Sequence, residues 1–496
     1  MLKLREMWRD ELPRRALLVL LGLAFALRVV LVLRGGQLYF PDEGTHLNES
    51  LSFVSRLARG DAGGALDMLV ETKAHPVFLL LGSLPTVVQF VLQSSFGLSP
   101  RATLWIPALM LSLMSVCCIA LTAAIVRRAG GPEREALIAA VLMASATSLL
   151  YFSRHLVPYD LALALALFAL WTGLDVQPSF TRSLVCGVLA GLAFFAYYGY
   201  LPIAAIAGLI HVLWGKRNIL EIVKRGSAFA LGFVLLPLLL TIASIARGAT
   251  PFVLEMAHFT ESVNQGTFSE GALLPWAYLW ETERGVLLVW AAGALAIIGL
   301  AARRRELALS RGALWLAVAV GAYLPLAIGS TGLERFVVYG RLARQMVPFF
   351  CLATAFVLDH LADQWQVKRQ WVWLGAILLT AQVVFNFWPP LTQQFPVDFE
   401  RHVAETYGPV GRALTVKGPP VFGYDASKSF RYVLLNGQYL YPISGTRTPP
   451  KGEIVLQAAH PLEFLPYQYE GLDPEERAMV RSVDLSMRVI DTQSAK

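Results

Sequence analysis

The 496-residue chain is 56% apolar and only 16% charged, with a mean hydropathy of +0.54. A soluble domain carries about 25% charged residues, so this deficit excludes a soluble cytoplasmic enzyme and a disordered scaffold and points to many membrane spans. In such a chain the net charge of +7 reports loop orientation before it reports nucleic acid.

The N-terminal stretch MLKLREMWRDELPRR gives way to an apolar run over 16–33, interrupted by Arg28. No small-residue cleavage site follows, so the run reads as a retained first span, with Arg28 snorkelling outward. At about 20 residues per crossing, further spans are expected at 102–126, 136–152, 157–174, 183–198, 200–214, 226–246, 285–302, 312–330, 346–362 and 371–389. The segment 183–214 would be roughly 48 Å long as one helix, too long for a single span. Tyr197–Tyr198–Gly199–Tyr200 before Pro202 marks its break. Cys117, Cys118, Cys186 and Cys351 all sit in apolar runs, so no disulfide framework or zinc site is expected.

The apolar segment His75–Gln93 carries Pro85 and decides the topology. If it lies along the interface, every basic loop falls on one side: the N-terminus, 127–135, 174–183, 215–225, 303–311 and 359–370. Together these hold 19 Lys and Arg against 10 Asp and Glu. The positive-inside rule therefore favours the non-spanning reading. This gives eleven spans, a cytoplasmic N-terminus and three outer regions: loop 34–101, loop 247–284 and a tail over 390–496. The tail holds turn signals and short β-rich runs at Tyr432–Leu435, Ile454–Gln457 and Met487–Ile490, and reads as a small outer α/β domain.

Ionisable groups beside spans are expensive and need a reason. Asp42 and Glu43 follow the first span. Lys73 and His75 precede the interfacial segment. Arg154, His155 and Asp160 sit where the third and fourth spans meet. Arg335, Arg341 and Arg344 lead into the tenth. Four separate stretches thus bring carboxylates and cations to one depth, the outer interface. Paired cations there suit a phosphate, a nearby carboxylate suits proton removal from a hydroxyl, and a leaving phosphate needs its developing charge stabilised. The plainer alternatives are a solvated Asp42–Glu43 pair and a structural His46.

At these residues the sequence resembles the GT-C membrane glycosyltransferases of the protein O-mannosyltransferase and lipid A aminoarabinose transferase group. The matching features run in order: Pro41–Asp42–Glu43 after the first span, His75–Pro76 opening an apolar helix, and Arg127–Arg128 after a span. Tyr151-x-x-Arg154 with Asp160 six residues on, the glycine-rich stretch Gly187–Phe194, and Arg344-x-x-x-Pro348 complete the set. Two positions depart from the pattern: Gly44–Thr45–His46 stand where an aromatic is common, and Tyr197 where Lys is common.

The resemblance implies an all-α polytopic GT-C fold with juxtamembrane helices in the first outer loop, a catalytic membrane domain over 1–389, and a polyprenyl-phosphate sugar donor. It implies Asp42 as base, supported by Glu43 and Asp160. His75, Lys73, Arg154, His155, Arg341 and Arg344 are on the donor-phosphate side, with His46, Tyr151 and Tyr197 as further substrate contacts. The acceptor would be a glycan, lipid or protein hydroxyl, attacked with inversion. The expected setting is a monomer in the cytoplasmic membrane, among membrane lipids, with the site and tail outside and no nucleic acid. No cofactor is expected; a divalent metal on Asp42, Glu43 and Asp160 is the disfavoured option. Alternatives are a polysaccharide ligase or polymerase with a polyprenyl-linked glycan, and a lipid or glycan transporter. A transporter would place its charges near the midplane between related halves.

Overall fold

The computed structural model describes residues 2–33, 41–71, 75–98, 103–215, 218–264, 272–283, 285–303, 310–332 and 340–364, together with five strands between Leu414 and Asp491. The helices are α1 (Leu2–Leu33), α2 (Pro41–Ala58), α3 (Ala62–Glu71), α4 (Pro76–Phe96), α5 (Trp105–Arg128), α6 (Glu133–Ala144), α7 (Thr147–Phe152) and α8 (Tyr159–Gly173). There follow α9 (Phe180–Ala196), α10 (Leu201–Leu213), α11 (Ile219–Ala246), α12 (Phe252–Asn264), α13 (Leu274–Glu283), α14 (Gly285–Arg303), α15 (Arg311–Ala327) and α16 (Val347–Gln364). The described residues from 2 to 364 are all-α, the polytopic membrane part of the protein. Among the described residues, six helical segments are long and apolar enough to cross a membrane: Pro13–Leu33, Pro76–Phe96, Trp105–Arg128, Ile219–Ala246, Gly285–Ala302 and Leu342–Ala362. α8, α9, α10 and α15 are apolar but shorter. The last expected span, 371–389, lies outside the described residues.

α8 is the central helix. Nearly all of its side chains are buried, packed by α5, α9 and α10. α9 and α11 approach so closely that a Cβ on Gly187 would meet the Phe229 carbonyl, and one on Gly232 the Leu184 carbonyl. Small residues at such crossings let two backbones touch. The glycine-rich stretch 187–194 therefore has a packing cause.

Two expectations are met differently. The span expected at 136–152 is broken: α6 ends at Ala144, Ala146 is extended, and α7 restarts at Thr147. The break between α9 and α10 falls where expected, with a 3-10 turn at Tyr198–Tyr200 and Pro202 in the first turn of α10, where its missing N–H costs no hydrogen bond.

The described residues of the six basic loops meet at one face, stapled by ion pairs and hydrogen bonds. Arg14 and Arg127 bind Glu133 at 3.2 and 2.7 Å. Arg128 (2.8 Å) and Arg182 bind Asp175, and Arg225 donates to the Val176 carbonyl at 2.8 Å. Arg311 binds Glu135 at 2.7 Å and Arg134 binds Asp359. On the opposite side, Arg247 clasps both carboxylate oxygens of Asp67 at 2.8 and 2.7 Å, tying α3 to the end of α11. That hydrogen bonding holds the Asp67 carboxyl below its usual range.

Neither end of α4 reaches the basic face. Its start, His75, packs on Tyr197 at the far end of α9. Near its end, Gln93 donates to Thr103 at 3.0 Å, just before α5 begins. α5 then runs about 36 Å to Arg128 on the basic face. Length alone would let α4 cross, but its contacts keep both ends on one side. Ser95→Cys, at an exposed position near the end of α4, is therefore expected to react with a membrane-impermeant maleimide on intact cells. Labelling only after permeabilisation would show that α4 crosses.

In the tail, the strands are β1 (Leu414–Thr415), β2 (Tyr432–Leu434), β3 (Gln438–Ser444), β4 (Glu453–Gln457) and β5 (Leu485–Asp491). All pair antiparallel; β5 pairs with β1, β3 and β4, and β2 with β3. The three expected β-rich runs coincide with β2, β4 and β5. The helical part of the expected α/β domain lies outside the described residues.

Candidate functional site

α2 opens on Pro41, whose fixed φ suits a first helical turn. Asp42 and Glu43 follow in that turn, where the helix dipole favours carboxylates. The Asp42 side chain lies outside the described residues. Glu43 is fully buried, not solvated surface. One of its oxygens accepts the Leu156 N–H at 2.6 Å, and the other faces His155 Nδ1 at 3.2 Å. Burial pushes the His155 imidazole below its ordinary range, against the pull of Glu43. Glu43 thereby fixes the turn between α7 and α8, which presents Arg154 and Asp160.

That turn is packed on aromatics. The Tyr151 ring lies 4.9 Å from His155, and the Arg154 guanidinium 5.5 Å from the Tyr151 centroid. Asp160, in the first turn of α8, is ion-paired with Arg344 from the 3-10 turn Gly340–Gln345. The Arg344 guanidinium stacks over Phe152 at 4.7 Å and Tyr159 at 5.7 Å, as desolvated guanidinium groups favour. Gln345 beside it donates to the Gly199 carbonyl at 2.9 Å, anchoring the α9–α10 break.

Arg28 does not snorkel. It is 1% exposed and points inward, its Nε donating to Ser115 Oγ at 2.9 Å and its Nη1 to the Ala24 carbonyl at 3.0 Å. Snorkelling needs an unobstructed path to the interface; here Ser115 on α5 and a carbonyl of its own helix offer polar partners inside the bundle.

His75 caps α4 in a left-handed conformation, φ 60° and ψ 50°, and is the only non-glycine residue with positive φ among the described residues. Such a conformation costs roughly 1–3 kcal/mol and clusters at functional sites. Its ring lies 5.8 Å from His46, 5.1 Å from Tyr197 and 5.6 Å from Tyr198. Tyr197 in turn meets Tyr159 at 5.0 Å, which joins this aromatic wall to the Arg344–Asp160 pair.

The structure therefore brings Glu43, His46, His75, Tyr151, Arg154, His155, Asp160, Tyr197 and Arg344 into one connected cluster. It has two layers. Glu43, Arg154, His155, Asp160 and Arg344 are at most 2% exposed. His46 and His75 are partly exposed, and His46 borders a crevice between α2, α4 and α5, lined in part by Ser50, Phe78, Thr86 and Leu156. Lys73 and Arg335, and the side chain of Arg341, lie outside the described residues. Sequence reasoning read Arg28 as snorkelling and Tyr198 only as part of a helix break, and did not single out Tyr159 or Glu283. The signal for Glu283 was a carboxylate separated only by Arg284 from the apolar run that opens at Gly285. Among the described residues, no three His, Cys, Asp or Glu side chains are grouped to hold a metal ion.

No protein-family model matches the chain, and no curated protein matches it. Among solved structures it is similar to an oligosaccharyltransferase from Archaeoglobus fulgidus, tethered to an acceptor peptide containing an NVT sequon. Identity is 12% and the TM-score 0.43. The match covers 76% of this chain and 55% of that one, so the chain spans about half the length of that structure.

Proposed function

We propose that this chain is an integral-membrane glycosyltransferase that moves a sugar from a polyprenyl-phosphate donor to an acceptor hydroxyl, on the face opposite the basic loops. One observation carries the reading. Four stretches far apart in sequence converge on a single cluster of carboxylates, guanidiniums and imidazoles at that face. A transporter would instead place its ionisable groups on a path between halves.

In this reading Asp42 takes the proton of the acceptor hydroxyl, whose oxygen attacks the anomeric carbon as the bond to phosphate breaks. Configuration inverts and polyprenyl phosphate leaves. His75, Lys73 and Arg341 are assigned to binding the phosphate, while Arg154 and Arg344 supply positive field from the buried layer. Glu43, His155 and Asp160 hold those groups in place. Tyr197, Tyr151 and His46 shape the walls. The acceptor is a cell-envelope glycan, lipid or protein, and the enzyme works in the cytoplasmic membrane with its site outside.

The test is incubation of the purified protein with a labelled polyprenyl-phosphate sugar and no ion gradient. Release of polyprenyl phosphate with sugar on an acceptor is expected; no release with any such donor would sink the reading. In this reading the chain's own cations neutralise the leaving phosphate, so transfer is expected to persist in chelator. Loss in chelator with rescue by Mg²⁺ or Mn²⁺ would overturn that part.

A further inference from the structure

α7 starts without a cap of its own. Its N-cap residue is Ala146, in an extended conformation, with no side-chain oxygen to accept a hydrogen bond. The first N–H groups of any helix lack intrahelical partners, and buried orphans are costly. Ala146, Thr147 and Ser148 are all buried. The acceptor comes instead from Glu283, the last residue of α13 and itself 1% exposed. One Glu283 oxygen accepts the Thr147 N–H at 2.7 Å; the other accepts the Ser148 N–H at 3.1 Å and the Ser148 O–H at 2.6 Å. α13 also packs on the 3-10 turn that carries Arg344.

α7 is only six residues long, so where it starts fixes where Tyr151, Arg154 and His155 emerge. We infer that Glu283 is a positioning residue: it bolts the second outer loop to the start of α7 and so sets the Arg154–His155 side of the donor site. The inference rests on the cluster being the donor site proposed above.

The test uses the full-length chain in detergent, with polyprenyl phosphate alone as probe. Two quantities are read: amide hydrogen exchange over residues 147–155, and affinity for the probe. S148A removes one hydroxyl bond, E283Q keeps one carbonyl oxygen, and E283A removes every acceptor. Exchange is expected to rise and affinity to fall in that order, with E283A losing about tenfold in affinity, as hydrogen bonds to charged groups are worth. Wild-type exchange and affinity in E283A would overturn the proposal. So would faster exchange with unchanged affinity, which would leave only a local cap. If E283A does not fold, E283Q and S148A carry the same ordering, and wild-type behaviour in both overturns it. If the unsubstituted protein binds no polyprenyl phosphate, the donor reading fails, while the exchange data still decide whether Glu283 holds α7.

Discussion

Asp42→Asn is expected to abolish nearly all transfer while leaving the protein folded and able to bind its donor lipid. A positioned general base contributes about 10²–10⁴-fold to rate, so kcat should fall by about that factor with donor KM unchanged. The argument for Asp42 over its neighbour comes from the neighbour. Glu43 spends one oxygen on the Leu156 N–H and the other on His155, in full burial. That carboxylate is committed to holding the α7–α8 turn. Asn keeps the size and polarity of Asp but loses its charge and basicity, which separates chemistry from packing. Glu43→Gln retains a carbonyl oxygen for Leu156 and should impair stability more than the chemical step. If Asp42→Asn keeps most of its activity, Asp42 is not the base.

The second large effect is on stability. Asp160 and Arg344 pair with side chains 2% and 1% exposed. Removing one partner of such a pair leaves an uncompensated buried charge and costs roughly 3–5 kcal/mol, whereas replacing both with apolar groups is often close to neutral. Arg344→Ala should therefore lower the unfolding temperature in detergent sharply, and more so because its stacking on Phe152 and Tyr159 goes too. The double replacement Asp160→Leu/Arg344→Met should recover most of the loss. It should not recover activity if the proposed donor site is right, because the guanidinium assigned to it is gone. A single variant as stable as the wild type, or a double variant as damaged as the single, would show that the pair is not what holds α8 to the 340–345 turn.

These two predictions differ in how far the sequence alone supports them. The candidate residues were visible because charge is scarce: Asp160 at the start of an apolar helix and Arg344 at the mouth of another have no cheap solvated explanation. Their depth was not visible. Arg28 read as a snorkelling side chain because its position in a span is all the sequence shows; whether a path to water exists depends on which helices flank it. The break inside 136–152 was hidden for a related reason. The acceptor that caps the restarted helix, Glu283, lies 136 residues away, and Ala146 carries no turn signal of its own.

Composition and hydropathy by themselves determined that this is a polytopic membrane protein, which loops share one face, and where α9 gives way to α10. Those properties follow from transfer energies and backbone chemistry that each segment carries alone. Tertiary structure decided which polar groups are layered beneath the accessible His46–His75 wall. It decided that Glu43 is a structural acceptor, and that both ends of α4 stay away from the basic face. These outcomes depend on who meets whom across the bundle. A buried hydrogen bond or ion pair takes its strength from partners and dielectric that no single segment encodes.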